Sequence, residues 1–307
     1  MGGAAAAAPF AYITDQGSDD VAVIDLASGV RVATLAVGHA PVGVAVMTHP
    51  HRVFVTSPES HDVQVIERGA TPQQDRVVAR VAAGASPVGV AVDESSGRFY
   101  VSDMSSNRLL AFDAASLAAV GDVGVGHGPG GIAVDAAAGR IYVADRDDNA
   151  VAVIDARALV RLADLAVGEH PFGLALDAPH ARLYSANVYA DTVSVVDLAQ
   201  GRRLADIAVG RAPYCLLLNA GLHRLYVSNQ HADSISIIDT DAGRVAATVP
   251  AGGYPEGLGL HPDGHAFYVV NWMDDTVGEH DAASGRLLRT FAGGKNNRGL
   301  GQFIDAN

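Results

Sequence analysis

A repeat of about 42 residues runs through the chain and constrains its fold more than any other feature of the sequence. An aromatic residue within a short β-prone segment recurs seven times, with spacings of 42, 46, 42, 42, 42 and 42 residues. A single unit of this length cannot bury its apolar face alone, so such units stack on one another. The recurring positions are Tyr12, Phe54, Tyr100, Tyr142, Tyr184, Tyr226 and Tyr268.

Each repeat has the pattern of four short strands. Residues 21–25 (VAVID) and 234–239 (SISIID) alternate along the chain, which predicts strands. A proline-led segment, PVGVAV at residues 41–46, has counterparts that begin at Pro87, Pro129, Pro171, Pro213 and Pro255. Four strands in about 42 residues, repeated seven times, predict an all-β fold: a single seven-bladed β-propeller of four-stranded antiparallel blades.

The two ends of the chain resemble complementary parts of one blade. Residues 11–15 (AYITD) have no PVGVAV segment before them, and residues 298–304 (RGLGQFI) match that segment, with Asn297 in place of proline. We therefore expect residues 11–307 to form the propeller, with the C-terminal inner strand closing the ring against the N-terminal strands. Residues 1–10 are expected to be disordered or vector-derived. A solenoid, the alternative, would carry polar caps at its ends.

Small residues in the proline-led segment predict close contact between blades. Gly43 and Ala45 share one face of their strand, and most repeats keep this pair. One repeat departs from the pattern, because Cys215 and Leu217 occupy the two small positions. Cys215 is expected to be a buried, inert thiol, with a nucleophile or a ligand as the alternative.

Composition and charge limit the classes of partner. The chain has 34 Asp and Glu against 21 Lys and Arg, a formal net charge of -13 at pH 7, so nucleic acid is an unlikely partner. A single cysteine excludes an intramolecular disulfide. No apolar run is long enough to span a bilayer. We expect a monomer.

The repeat resembles that of a known family. Residues 226–240 (YVSNQHADSISIIDT), together with turns such as residues 37–43 and 167–173, are similar to the YVTN-repeat β-propeller family over residues 11–304. Members are commonly exported from bacterial or archaeal cells, so the resemblance implies a periplasmic or extracellular location, with a cytoplasmic one left open. Because members include surface-layer, nucleic-acid-binding and oxidation-linked proteins, the resemblance implies a scaffold and no particular reaction.

The loops at one end of the blades differ most between repeats. They join the outer strand of one blade to the inner strand of the next, on the same face as the loops between the second and third strands; we call this the top face. A structural repeat does not need such diversity, so we expect a binding site at the channel mouth on this face. The candidate residues are Arg211, Tyr214, His231, Tyr254, Glu256, Asn271, Trp272, Lys295 and Arg298.

Cations and an amide among aromatic side chains suit a polar or anionic small molecule, a chain terminus or a partner protein. The alternative is a solvated rim whose residues pair with one another, Arg298 with Glu256 for example. Trp272, the only tryptophan, either covers its neighbouring blade or contacts a ligand.

Histidines in the same loops raise the possibility of a transition metal, although no cofactor is otherwise predicted. His39, His127, Glu169 and His170 offer imidazole and carboxylate groups that suit Zn, Cu or Ni if the loops bring them together.

Two classes of function remain. The sequence lacks the G-x-S-x-G, H-E-x-x-H and phosphate-loop motifs, so we expect a non-catalytic binding or scaffold propeller that holds its ligand or partner at the top-face mouth. The alternative is an enzyme or an accessory oxidoreductase component with its site at the same mouth, using His231, Glu256 or a bound metal. Single-stranded nucleic acid at Arg211, Lys295, Arg298 and Trp272 is a third interpretation, which the net charge opposes.

Overall fold

The computed structural model describes residues 9–305, which form seven β-sheets, the blades, arranged in a ring. Blade 1 contains β1 (Phe10–Asp15), β2 (Asp20–Asp25) and β3 (Val30–Ala36), and blade 2 contains β4 (Val44–Met47), β5 (Arg52–Ser57), β6 (Asp62–Glu67) and β7 (Arg76–Ala82). Blade 3 contains β8 (Pro87–Asp93), β9 (Arg98–Asp103), β10 (Arg108–Asp113) and β11 (Ala119–Gly124), and blade 4 contains β12 (Pro129–Asp135), β13 (Arg140–Asp145), β14 (Ala150–Asp155) and β15 (Val160–Ala166).

The second half of the ring repeats this arrangement. Blade 5 contains β16 (Pro171–Asp177), β17 (Arg182–Asn187), β18 (Thr192–Asp197) and β19 (Arg202–Ala208), and blade 6 contains β20 (Pro213–Asn219), β21 (Arg224–Asn229), β22 (Ser234–Asp239) and β23 (Arg244–Pro250). Blade 7 contains β24 (Pro255–Leu260), β25 (Ala266–Asn271), β26 (Thr276–Asp281) and β27 (Leu287–Ala292), and the chain ends with β28 (Asn297–Arg298) and β29 (Ile304–Asp305). The turns include short 3-10 helices at Pro58–Ser60, Pro72–Gln74, Arg146–Asp148, Ala178–His180, Ala220–Leu222 and Gln230–Ala232.

Within blades 2 to 7 the strands follow one another in sequence order, and neighbouring strands pair antiparallel in every blade, so the predicted fold class is confirmed. The proline-led segment is the inner strand and the aromatic segment the second strand. Second and third strands are buried on both sides, as in β21 and β22, because blades stack face to face. Outer strands alternate between exposed and partly buried residues, as in β23. No helix in the described part of the chain is long and apolar enough to cross a membrane.

The C-terminal segment closes the ring, as predicted. β28 pairs with β1 at Thr14 and Asp15, and β29 pairs with the start of β1. The closing strand is interrupted, however, which the sequence pattern did not show. Between β28 and β29 the chain turns towards blade 2, where Val44 donates its N–H to the carbonyl oxygen of Leu300 at 2.9 Å. Gly301 permits this path, since its φ is +115° and a Cβ there would lie 2.5 Å from the Val44 carbonyl oxygen.

Close approach between neighbouring inner strands is also confirmed. A Cβ at Gly43 would lie 2.3 Å from the carbonyl oxygen of Val88, and one at Gly173 would lie 2.2 Å from that of Tyr214. These distances leave no room for a side chain, which explains the repeated glycine. The four extra residues of the second repeat form a loop between β6 and β7, where Asp75 accepts a 2.6 Å hydrogen bond from the Tyr12 hydroxyl.

The N-terminal prediction falls largely on residues 1–8, which lie outside the described residues, and β1 begins at Phe10. Along the axis of the ring lies a cavity of about 530 Å³, enclosed by the inner strands and residues 299–304. Its side chains are mainly aliphatic, among them Ile132, Leu174, Leu216 and Leu260.

Candidate functional site

The upper end of the axial cavity is closed. Val42, Val88 and Phe172, which directly follow the loop proline of their repeats, are buried. They belong to one apolar cluster with Leu258 and Leu300, because side chains that converge on a narrow axis pack against each other. The top face is therefore apolar and packed close to the axis, and the exposed candidate residues lie beside this cluster.

That surface is built from aromatic side chains of blades 6 and 7 and the closing strand. The ring of Tyr254 lies 5.5 Å from that of Trp272, and the guanidinium carbon of Arg298 lies 5.9 Å from the Trp272 ring centroid, within reach of a cation–π contact. Tyr214 stacks on Phe172 with the ring centroids 4.2 Å apart. We call Tyr214, Tyr254, Trp272 and Arg298 the aromatic platform. All four are partly exposed.

A buried carboxyl group lies beneath the platform. Glu256 Oε2 is 3.5 Å from Nη1 of Arg298, and Oε1 accepts a hydrogen bond from Gln230 Nε2 at 3.0 Å. Arg298 Nε also donates to Gln16 Oε1 at 3.1 Å. Burial raises the pKa of Glu256 to about 7, although Arg298 and Gln230 both favour its ionised form. The alternative in which Arg298 pairs with Glu256 therefore describes part of this surface, and the charge of the pair changes near neutral pH.

The other candidates lie at different places. His231 is exposed beside the platform, with its ring 5.5 Å from that of Tyr254. Arg211 and Lys295 are exposed in the loops that precede β20 and β28, and Arg211 donates to the carbonyl oxygen of His231 at 2.6 Å. The prediction that Asn271 contributes to the binding surface is wrong. Asn271 is buried within blade 7, and its side chain donates to Thr276 Oγ1 at 3.2 Å. As the last residue of β25, it joins two strands and does not line the surface.

Three residues near the platform were not among the sequence candidates for a ligand site. Gln230 holds the Glu256 carboxyl group, and it precedes His231 at the loop position that Trp272 occupies in blade 7. Tyr189 is 70% exposed and stacks on His170 at 3.9 Å between ring centroids. Arg146 pairs with Asp147 at 2.9 Å and interacts electrostatically with Tyr189 and Tyr214. Gln230 and Tyr189 could have been found from the sequence, because they occupy the loop positions of the candidates Trp272 and His231 in other blades.

The candidate metal ligands are not brought together. His39 Nδ1 lies 2.8 Å from Asp19 Oδ2, and His127 Nδ1 lies 2.9 Å from Asp148 Oδ1, each between neighbouring loops. The remaining two candidates are Glu169, which is exposed, and His170, which stacks on Tyr189. Among residues 9–305 no three His, Cys, Asp or Glu side chains are grouped so as to hold a metal ion.

Cys215 lies on the inner strand of blade 6, at the upper part of the axial cavity. It is buried, and burial, followed by the nearby Glu256 charge, raises the pKa of its thiol. A protonated thiol is a weak nucleophile.

The chain is similar to several known propellers. The NHL repeat family model matches residues 85–112 and 127–154, which include the first three strands of blades 3 and 4. No curated protein matches the chain significantly in sequence.

Solved structures share the architecture at low sequence identity. Kuenenia stuttgartiensis hydrazine synthase is 19% identical, with a TM-score of 0.72 over 83% of this chain and 87% of that chain. A functionally unknown protein from Desulfotomaculum acetoxidans is 13% identical, with a TM-score of 0.80 over 96% and 98%. The dihydro-heme d1 dehydrogenase NirN, in complex with DHE, is 16% identical, with a TM-score of 0.69 over 96% and 75%. At these identities the likeness establishes the propeller fold and leaves binding and enzymatic roles equally open.

Proposed function

We propose that this propeller is a non-catalytic binding protein that holds a small polar or anionic molecule, or an anionic segment of a partner protein, on the aromatic platform of its top face. The observation that carries the proposal is the position of Arg298, whose partly exposed guanidinium group lies over Trp272. A carboxylate bound there would receive charge-assisted hydrogen bonds while its apolar part packs on aromatic rings.

The shape of the surface supports a binding role. The axial cavity is closed above by buried apolar side chains, so a ligand on the platform rests on a shallow surface. Beside the platform, Met273 is 66% exposed and Tyr189 is 70% exposed. Large exposed apolar side chains of this kind are typical of surfaces that bind partners.

Binding can be tested with the protein's own fluorescence, because Trp272 is the only tryptophan. Benzoate serves as a probe that combines an anion with an aromatic ring, and benzyl alcohol serves as its neutral counterpart. We expect saturable quenching by benzoate, and an affinity lower by about fivefold or more for Arg298→Gln, since the replacement loses a charged hydrogen bond. Arg286→Gln, an exposed arginine in a turn of the opposite face, is the matched control.

Unchanged benzoate binding in Arg298→Gln, with Arg286→Gln equal to wild type, would place the anion elsewhere and refute the proposed site. Equal binding of benzyl alcohol and benzoate would show that the platform does not recognise charge. Circular dichroism and thermal unfolding of both variants establish that the ring remains closed.

An enzymatic role at the same place is the second candidate, and one observation favours it. Glu256 is a buried carboxyl group whose pKa is raised to about 7, the range suited to a general acid or base. Any turnover found for this protein should then follow the ionisation of Glu256 and be lost in Glu256→Gln. A purely binding role predicts that this variant still binds benzoate.

We also propose that the repeats are of the YVTN type and that the protein works in the periplasm or outside the cell. Both rest on the resemblance of residues such as 226–240 to that family. Fractionation of the native cells with an antibody against the protein is the test of location, and recovery in the cytoplasmic fraction alone would contradict it.

A further inference from the structure

A second cavity opens on the face opposite the aromatic platform, which we call the bottom face. It has a volume of about 280 Å³ and lies between blades 5 and 6. Its apolar wall is formed by Val195, Ile207 and Ile238, and its polar wall includes Asp177 and the Tyr184 side chain. None of these residues belongs to the surface described above.

An open turn borders the cavity. Gly243, in the turn between β22 and β23, has a φ of +62°, and a Cβ there would meet no atom within 4 Å. The equivalent turn positions of blades 3 and 4 hold Leu117 and Leu159, which have φ values of 64° and 52° and pack against the neighbouring blades' cores. Glycine at position 243 therefore leaves a space that leucine fills elsewhere in the ring.

The next interface shows the same space closed. A Cβ at Gly285, the equivalent turn position of blade 7, would lie 2.4 Å from the Cδ1 atom of Ile237 and 3.1 Å from Val249. The residue in blade 5 that corresponds to Ile237 is the smaller Val195. Val195 and Gly243 both line the cavity.

The main polar groups at the cavity are the Tyr184 hydroxyl and the Asp177 carboxylate. The Tyr226 hydroxyl donates to the carbonyl oxygen of Ala282 at 2.6 Å, but the equivalent Tyr184 hydroxyl has no hydrogen-bond partner among residues 9–305. The carboxylate of Asp177 is 6% exposed, and within the same range its only hydrogen bonds or ion pairs from side chains come from His180, at 2.9 Å.

The charge at the cavity is negative. Arg182 is matched by Asp197, at 2.9 Å between Nη1 and Oδ2. Among the described residues, the ion-pair partners of Asp177 and Asp241 are histidines, and no lysine or arginine pairs with either. A cation entering the cavity would therefore meet a nearly buried carboxylate whose ion-pair partner is a histidine, while Arg182, which also lines the cavity, is paired with Asp197.

We propose that this cavity is a binding site for a small organic cation, an ammonium or amidinium group carried on a compact apolar body. The cation binds the Asp177 carboxylate and the Tyr184 hydroxyl oxygen, and the apolar body packs on Val195, Ile207 and Ile238. At roughly 30 Å³ for each water-sized group, the volume suits a ligand of about ten non-hydrogen atoms. This volume is slightly below the range of about 300–1,000 Å³ that is typical of small-molecule pockets.

Phenethylammonium is a suitable probe, with 2-phenylethanol as its neutral counterpart and phenylacetate as its anionic one. Isothermal titration calorimetry on the full chain near neutral pH should show saturable, equimolar binding of the cation. We expect Asp177→Asn to weaken it by about tenfold or more, as befits the loss of a buried ion pair. Gly243→Leu should abolish binding, because the leucine side chain would occupy the cavity. The variant should fold, since leucine already adopts this turn conformation at positions 117 and 159.

Gly201→Leu is the matched control. Gly201 occupies the equivalent turn of blade 5 with a φ of +63°, and a Cβ there also meets nothing within 4 Å, so the backbone cost is shared while the cavity remains open. This variant should bind the probe as wild type does. Thermal unfolding of each variant reports whether the ring is intact. If Gly243→Leu does not fold, the effect of Asp177→Asn on probe affinity tests whether the probe binds in this cavity.

Several results would overturn the proposal. Absence of saturable binding up to about 10 mM probe, a free energy weaker than about 3 kcal/mol, would show that the cavity binds no such cation. Equal affinity for 2-phenylethanol would refute the role of charge. Unchanged binding in Gly243→Leu or in Asp177→Asn would place the probe elsewhere on the molecule.

Discussion

The hydroxyl group of Ser228 donates a 2.8 Å hydrogen bond to the backbone carbonyl oxygen of Glu256 in the next blade. The same hydroxyl accepts the N–H of Cys215 at 2.9 Å, so one side chain joins the inner strands of blades 6 and 7. Thr56 makes the equivalent bond to Val88 at 2.7 Å. The backbone beneath the aromatic platform is thus held by a contact between blades.

Replacing Ser228 with alanine should lower the free energy of unfolding by about 1–3 kcal/mol, because it leaves a buried N–H and a buried carbonyl group without this partner. Ser228→Thr keeps the hydroxyl, as Thr56 does in blade 2, and is the control. Denaturant unfolding measures both. Equal stability of Ser228→Ala and wild type would mean that the bond between blades contributes nothing net.

Anion binding at the platform should weaken as pH rises. The pKa of Glu256 is raised to about 7, so below that pH the carboxyl group is mostly neutral and the charge of Arg298 is free to bind an anion. Above it, the ionised carboxylate competes with the ligand. Benzoate affinity should fall by roughly three- to tenfold between about pH 6 and pH 8, a change of about 1 kcal/mol. Glu256→Gln should remove this dependence, and a dependence that persists in the variant would contradict the assignment.

Asp145→Asn should stabilise the protein at alkaline pH. Burial raises the pKa of Asp145 to about 7, and its nearest cation, Arg161, is 3.8 Å away. The folded state therefore binds more protons than the unfolded state between about pH 4 and pH 7, and this group's contribution to stability falls as pH rises through that window. We expect a gain of about 1–3 kcal/mol near pH 8 and little change near pH 5. The equivalent positions of blades 5 to 7 already carry asparagine.

Urea unfolding of wild type and Asp145→Asn at the two pH values measures this difference, and the acidic sample serves as the internal control. A variant that is less stable than wild type near pH 8 would show that the ionised carboxylate makes contacts worth more than the cost of its burial.

Ring closure should depend on Phe303. This side chain is fully buried in the core of blade 1, between β28 and β29. Phe303→Ala should cost about 3–5 kcal/mol of unfolding free energy, the range for a large buried aromatic residue. Phe10→Ala, at a partly buried site in the same blade, should cost less. Similar losses of unfolding free energy in Phe303→Ala and Phe10→Ala would show that the closing segment stabilises the ring no more than a partly buried residue of β1 does.

The thiol of Cys215 should be unreactive in the native protein. Burial raises its pKa, so near pH 8 almost all of it is protonated. Alkylation by iodoacetamide should be about 100-fold slower or more than in urea-unfolded protein, because the thiolate is the reacting form. Rapid labelling of the folded protein, followed by mass spectrometry, would revive the nucleophile interpretation.

The sequence alone determined the number of blades, the order of strands and the closure of the ring. Each of these follows from a local pattern that repeats, and the two incomplete ends could pair only with each other. It also brought six of the nine site candidates to one surface, since equivalent loop positions meet on one face of any propeller. Their chemical roles at that surface remain predictions.

What only the tertiary structure decided depends on the volumes of side chains that meet across blades. The position of a residue along the chain could not show that Val42 and Phe172 would pack together in one buried cluster near the axis. It also could not show that the Asn271 side chain would be buried and hydrogen-bonded within blade 7. Nor could it show the space beside Gly243, because whether an open turn borders a cavity depends on all the side chains that face it from the neighbouring blade. These features depend on close packing between residues that are far apart in the sequence, so the repeat pattern by itself does not predict them.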